Sequence, residues 1–258
     1  MKNLLTIAGS DSCGGAGIQA DLKTFAALGA YGMSVITAVT AQNTLGICQV
    51  TEISKEMVKA QIDAVFSDIQ VDAVKTGMVS NAEIIRQIAA SLKEWKARNI
   101  VVDPVMVSKS GYHLLRPDAI EALKKELFPL AAVVTPNLPE AEVLVGKKVK
   151  ETEMAEAAMS IFRSGPESVL IKGGHLQGAA RDLLFDGIKF TEFTAPRLNK
   201  ANTHGTGCTL SSAIATHLAK GYDLTRAVAE SKKYLSGAIE HSFPLGKGVG
   251  PINHFYSA

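Results

Sequence analysis

Val71-Asp-Ala-Val-Lys-Thr-Gly-Met-Val-Ser80 runs into Asn81-Ala-Glu-Ile-Ile-Arg-Gln-Ile-Ala-Ala-Ser-Leu-Lys-Glu-Trp95, and then into Asn99-Ile-Val-Val-Asp-Pro-Val105. The outer pieces hold short β-branched runs, Val71–Lys75 and Ile100–Val105, each followed by glycine, proline or small polar residues, as strand ends are. Between them Ile84, Ile85, Ile88, Leu92 and Trp95 recur at the spacing of one helix face. Similar strand runs stand at Leu4–Ala8, Met33–Thr40, Ala132–Thr135 and Val169–Lys172. A second helical stripe is formed by Val58, Ile62, Val65, Phe66 and Ile69. Strand then helix, repeated, predicts an α/β fold: a central, mostly parallel β-sheet flanked by helices on both faces.

One segment breaks the rhythm. Asp182–Asp186, then Gly187-Ile188, then Lys189–Thr194 reads as two alternating strands around a tight turn, a hairpin expected at the sheet edge. Helical patterns follow around Leu210–Leu218 and Ala227–Ile239, before an irregular stretch, Phe243–Pro251. No internal repeat, low-complexity tract or composition shift marks a linker, so residues 1–258 are expected to form one domain.

The chain has 258 residues, 47% hydrophobic and 20% charged, with a formal net charge of +2 spread along its length. That pattern indicates no nucleic-acid surface and suits small-molecule partners. Cys13, Cys48 and Cys208 lack C-x-x-C spacing, which argues against a disulfide framework or structural zinc and fits a reducing, cytoplasmic setting. The apolar run at Met1–Ala8 is too short for a signal peptide, and no stretch approaches the roughly 20 apolar residues that cross a bilayer.

Open α/β sheets bind ligands beyond the carboxyl ends of their strands. The polar and glycine-rich clusters fall there: Gly9–Gly17, Gln42–Thr44, Thr76–Met78, Asp103–Gly111, Thr135–Glu140 and Lys172–His175. Asn202-Thr-His-Gly-Thr-Gly-Cys-Thr209 opens the Leu210 helix, and its glycines let free N–H groups converge where the helix dipole adds a positive field. Gly205, Thr206, Gly207 and Cys208 therefore read as an anion site, or as an ordinary glycine-rich helix start. Cys208 in the first turn would have its thiolate stabilised by the same N–H groups.

There is no G-x-x-x-x-G-K-[ST] phosphate loop and no dinucleotide fingerprint, which disfavours a dehydrogenase. Asp103, Asn137 and Glu140 offer oxygen ligands suited to Mg²⁺, directly or through water; alternatively Asp103 starts an Asp-Pro turn and Asn137 and Glu140 cap a helix beginning near Pro139. Lys172, at a strand end before Gly-Gly, either reaches a nucleotide phosphate or ends in water. His175 and His204 show no transition-metal spacing and read as loop residues. The amide of Gln42 suits the edge of a nitrogen heterocycle, or a turn.

Leu5–Lys23, Thr40-Ala-Gln-Asn-Thr44, Asp103–Gly111, Thr135–Ala141, Leu170–His175 and Asn202–Thr209, in order over nearly the whole chain, resemble the hydroxymethylpyrimidine/phosphomethylpyrimidine kinases of thiamine biosynthesis. The resemblance implies a ribokinase-like fold and two successive transfers from ATP with Mg²⁺. The first is to 4-amino-5-hydroxymethyl-2-methylpyrimidine and the second to its monophosphate. It makes Cys208 the base toward the substrate hydroxyl, with the Gly205–Cys208 backbone as anion hole. It puts Gln42 on the pyrimidine, and Gly9, Asp21, Met78 and Val107 around the substrate. Lys172 is implied on phosphate, Asn137 and Thr203 on the nucleotide side, and Asp103 and Glu140 near Mg²⁺; a homodimer is also implied. Cys13 departs from the serine or glycine often found there. Two alternatives stand: a pyridoxal kinase of the same fold, disfavoured because pyridoxal has no exocyclic amine for Gln42 to recognise, and a non-catalytic sensor of a vitamin precursor.

Overall fold

The computed structural model describes residues 1–106, 117–174 and 180–256. Its strands are β1 (Asn3–Asp11), β2 (Tyr31–Asn43), β3 (Gly46–Glu52), β4 (Ala73–Thr76), β5 (Ile100–Val102), β6 (Val133–Val134), β7 (Val169–Lys172), β8 (Ala180–Phe185) and β9 (Phe190–Ala195). They form one nine-stranded sheet in the order β3-β2-β1-β4-β5-β6-β7-β8-β9. From β2 to β7 neighbours are parallel; β3 is antiparallel to β2, and the β8–β9 hairpin is antiparallel to β7.

The parallel strands are apolar on both faces, and alternate residues enter different cores. Leu5, Val74, Val102, Val134 and Ile171 pack on one side against α2 (Lys55–Phe66), α3 (Ala82–Glu94), α4 (Pro117–Ala122), α5 (Leu138–Val145) and α6 (Met154–Phe162). Leu4, Ala73, Val101, Val133 and Leu170 face the other side, against α1 (Gly17–Ala27), α7 (Thr206–Ala219) and α8 (Leu224–Glu240). The hairpin expected from the sequence lies at one edge. The opposite edge strand, β3, was not among the predicted strands: it carries Cys48 and Gln49 exposed, with no apolar run to mark it.

Helix starts follow local chemistry. Ser54, Asn81 and Asp223 cap α2, α3 and α8 by accepting the N–H of Met57, Ile84 and Arg226. At α5 Asn137 and Glu140 form a reciprocal capping box. The N-cap residues of α1 and α7, Ala16 and Gly205, give no side-chain cap, and these two N-termini meet at the rim where the parallel strands end. Gly205 turns into α7 with φ 84°, and a Cβ there would strike the Gly15 carbonyl. Only glycine allows both the left-handed turn and that approach.

Candidate active site

α7 opens with Thr206, Gly207 and Cys208 behind Gly205, an N-cap with no side chain to satisfy their N–H groups, so the positive end of a 14-residue helix faces the rim. Lys172 at the end of β7 and Asp103 just past β5 come to the same place. A Cβ on Gly207 would lie 3.6 Å from Lys172 Nζ and 3.7 Å from Asp103 Oδ2. Lys172 donates to Asp103 Oδ1 at 2.9 Å, and Asp103 also accepts from Thr135 Oγ1 and Ser211 Oγ, both at 3.3 Å. Burial pushes the Asp103 carboxyl up, but the Lys172 and Lys75 charges prevail and hold it low. The Glu140 carboxyl is pushed up to about 7 by burial, with Asp103 adding to the rise and Lys172 opposing it.

Cys208 lies between the two uncapped helix ends and accepts a hydrogen bond from the Gly17 N–H. The sequence reading nevertheless needs correction. Burial dominates and pushes the thiol up to about 11; Asp21 and Asp103 add to this, and Lys75 opposes it. Without ligand the resting form is the thiol, since removing sulfur from water costs more than the dipoles return.

Gln42 does not follow a strand, as expected, but sits inside β2 opposite Ile47 of β3. Its amide lies 3.4 Å from His204 Nε2. Gly9 backs onto the Met78 thioether, with Sδ 3.5 Å from where a Cβ would stand, and Met78 packs with Ala38, Ile47, Val50 and Val105 as an apolar wall beside Gln42.

Asp21 is placed differently from the pocket position expected of it. It has no exposed surface, and its carboxylate is taken up by Lys75 at 2.9 Å, Thr6 at 2.6 Å and Ser212 at 2.7 Å. It acts on Cys208 at a distance, its charge raising the thiol while that of its partner Lys75 opposes the rise. Asn137 spends its side chain on the Glu140 N–H, as the capping alternative anticipated. Thr203 lies in the loop leading to α7. Val107 and His175 fall outside the described residues.

Sequence reasoning missed Asp11, Lys75 and the role of His204. Asp11 gathers the N–H groups of Cys13, Gly15 and Ala16, and also His204 Nε2 at 2.8 Å. Lys75 had a readable signal, a lone charge within an otherwise buried parallel strand. A strap then closes the site: Gly248 and Val249 donate to Thr44, Gly250 donates to Asn202, and His204 N–H donates to the Gly250 carbonyl.

Residues 11–253 match the family described as phosphomethylpyrimidine kinase. The chain belongs to that family. A phosphomethylpyrimidine kinase is a phosphotransferase. It is 57% identical over 257 residues to the hydroxymethylpyrimidine/phosphomethylpyrimidine kinase of Rhizobium meliloti, covering 98% of this chain and 96% of that protein. It is 55% identical over 258 residues to the thiamine biosynthesis bifunctional protein ThiED of Geobacter sulfurreducens; that match takes in 99% of this chain but only 53% of the longer protein.

Two solved structures are similar throughout. An ADP complex of Bacillus subtilis pyridoxal kinase superposes with a TM-score of 0.92 at 42% identity, covering 98% of this chain and 97% of that one. Phosphomethylpyrimidine kinase from Clostridium difficile gives 0.83 at 52% identity, covering 93% and 100%. The fold is ribokinase-like.

Proposed function

We propose that this kinase transfers a phosphoryl group from ATP to 4-amino-5-hydroxymethyl-2-methylpyrimidine, and a second to the resulting monophosphate, giving the diphosphate for thiamine biosynthesis. The observation that carries this reading is the uncapped α7 N-terminus with Lys172 Nζ 3.6 Å from the Cβ position of Gly207. Backbone donors and a lysine ammonium aimed at one point are what an in-line transfer of a charged phosphoryl group requires.

The bond that forms joins the substrate oxygen to the γ-phosphorus, and the bond that breaks joins that phosphorus to the β–γ bridging oxygen. The thiolate form of Cys208 takes the hydroxyl proton in the first transfer. N–H groups of Gly205–Cys208 and the Lys172 ammonium hold the oxygens on which charge gathers. Gln42 faces the ring, with Gly9 and Met78 beside it, while Asn137 and Thr203 stand toward the nucleotide. The donor set suits Mg²⁺: two buried carboxylates, Asp103 and Glu140, share one lysine and carry surplus negative charge when both are ionised. A magnesium ion held by those two residues, directly or through water, would supply charge neutralisation to the nucleotide phosphates. The reading takes residues 1–258 as one kinase domain, supported by a single sheet that holds every named strand. It also takes the protein as cytoplasmic and dimeric; Cys13, Cys48 and Cys208 are free thiols, and no helix among the described residues is long and apolar enough to cross a membrane.

Pyridoxal is the second reading, favoured by the 42% identity to the Bacillus subtilis pyridoxal kinase but set against 57% to a relative named for the pyrimidines. Incubation of the protein with Mg·ATP and, in separate tubes, hydroxymethylpyrimidine, its monophosphate and pyridoxal decides between them. Pyrimidine diphosphate in the first two tubes is the expected result. Pyridoxal phosphate alone would overturn it, and no product in any tube would leave a sensor of the same ligands.

A further inference from the structure

His204, read from the sequence as a plain loop residue, stands between Asp11 and Gln42. Its ring lies on the backbone of Gly15, where a Cβ would strike Cδ2. Asp11 Oδ2 accepts from Gly15 N–H at 3.1 Å and Ala16 N–H at 2.8 Å, and Oδ1 accepts from Cys13 N–H at 2.9 Å. Burial pushes the Asp11 carboxyl up, but hydrogen bonds from His204 and Cys13 more than offset it and hold it at about 2. An ionised carboxylate only accepts, so the hydrogen in its 2.8 Å contact with His204 belongs to the imidazole Nε2.

That assignment reaches Gln42. One end of its amide is 3.4 Å from the same Nε2, and the other is 3.2 Å from Thr40 Oγ1. Thr40 has one hydroxyl hydrogen, given to the Ser10 carbonyl at 2.8 Å, so only its lone pairs face the amide. With Gln42 Nε2 toward His204, donor meets donor and lone pair meets lone pair. A half-turn of the amide leaves its outline unchanged and converts both contacts into hydrogen bonds. Oε1 then shares the His204 hydrogen, and Nε2 donates to Thr40.

We propose that His204, held by Asp11, is a positioning residue that fixes the Gln42 amide with its oxygen toward the imidazole, and so fixes the order of donor and acceptor offered to an aminopyrimidine. Among the described residues, one lone pair and one N–H hydrogen of the amide are then left for a ligand. They complement a ring nitrogen next to an exocyclic amine. The specificity half of this inference rests on the proposed reading of Gln42 as the residue that meets the substrate ring. The orientation half rests on the ionised Asp11 carboxylate and on the hydrogens that His204, Thr40 and Gln42 carry.

Nitrogen-15 NMR of the ligand-free wild type tests the orientation. A protonated His204 Nε2, with Gln42 amide protons showing through-space contacts to the Thr40 side chain, is expected. A bare Nε2, or amide protons turned to the imidazole, overturns it. Kinetics of H204L and H204Q test the consequence, because glutamine restores a donor and leucine does not. H204L should raise KM for hydroxymethylpyrimidine about tenfold with kcat changed under about threefold, while leaving any pyridoxal KM unmoved. H204Q should recover most of the loss. Equal damage in both variants, or equal effects on both substrates, assigns His204 a purely structural role. A wild type inactive on the pyrimidine refutes the substrate reading and the specificity half, while the NMR result still judges the amide. Should H204L not fold, H204Q and the wild-type spectrum decide.

Discussion

At the scale of one residue, Cys208 shows two effects in competition. Its position at the start of α7 and its bond from the Gly17 N–H favour a thiolate, yet burial wins and sets the thiol at about 11. If the thiolate takes the substrate proton, its fraction rises tenfold per pH unit up to that value. The kcat/KM for hydroxymethylpyrimidine should therefore climb steadily from pH 7 to 9.5. Cys208→Ser should lower turnover by about 10²-fold and flatten the climb, in line with ordinary general-base contributions. A wild-type profile without slope would remove the cysteine from proton transfer and leave the transfer to positioning and electrostatics. The residue type and its place were readable from Gly205-Thr-Gly-Cys208; the raised pKa was not, because it comes first from burial under packed elements, with Asp21 and Asp103 adding to it and Lys75 opposing it.

At the scale of elements, the parallel strands were legible because each is a short apolar run ended by glycine, proline or a polar residue. β3 was not, since an edge strand held by its hydrogen bonds to β2 needs no apolar pattern. Gln42 was misplaced for the same reason: without β3, nothing in the sequence shows that β2 continues through Asn43. The α5 capping box, in contrast, was written plainly in Asn137-Leu-Pro-Glu140. The junction of α1 with α7 depends on a backbone contact invisible to residue typing. Gly205→Ala would combine an unfavourable left-handed φ with a collision at the Gly15 carbonyl. The expected outcome is a melting temperature lower by several degrees and loss of most activity. A variant with full activity would show that the approach of α7 to the Gly9–Gly17 loop is not needed for catalysis.

At the scale of the whole molecule, the Lys75–Asp21 pair joins four elements at one buried point. Lys75 comes from β4, Asp21 from α1, Thr6 from β1 and Ser212 from α7. Both charged side chains are 0% exposed, so neither has water to fall back on. Asp21→Asn leaves an uncompensated buried ammonium and should cost about 3–5 kcal/mol in urea unfolding. The double variant K75M/D21N removes both charges and should recover a large part of that loss. A single variant as stable as the wild type would mean that Lys75 finds another counter-charge.

The strap from Gly248 to Pro251 reaches Thr44 across 204 residues of chain before returning to the loop ahead of α7. During synthesis, therefore, every strand of the sheet has left the ribosome before the segment that ties Thr44 to the loop carrying Asn202 and His204 has been made. A nascent chain can hold its hydrophobic layers together while its substrate end is still open, so capacity to bind comes after the layers rather than with them.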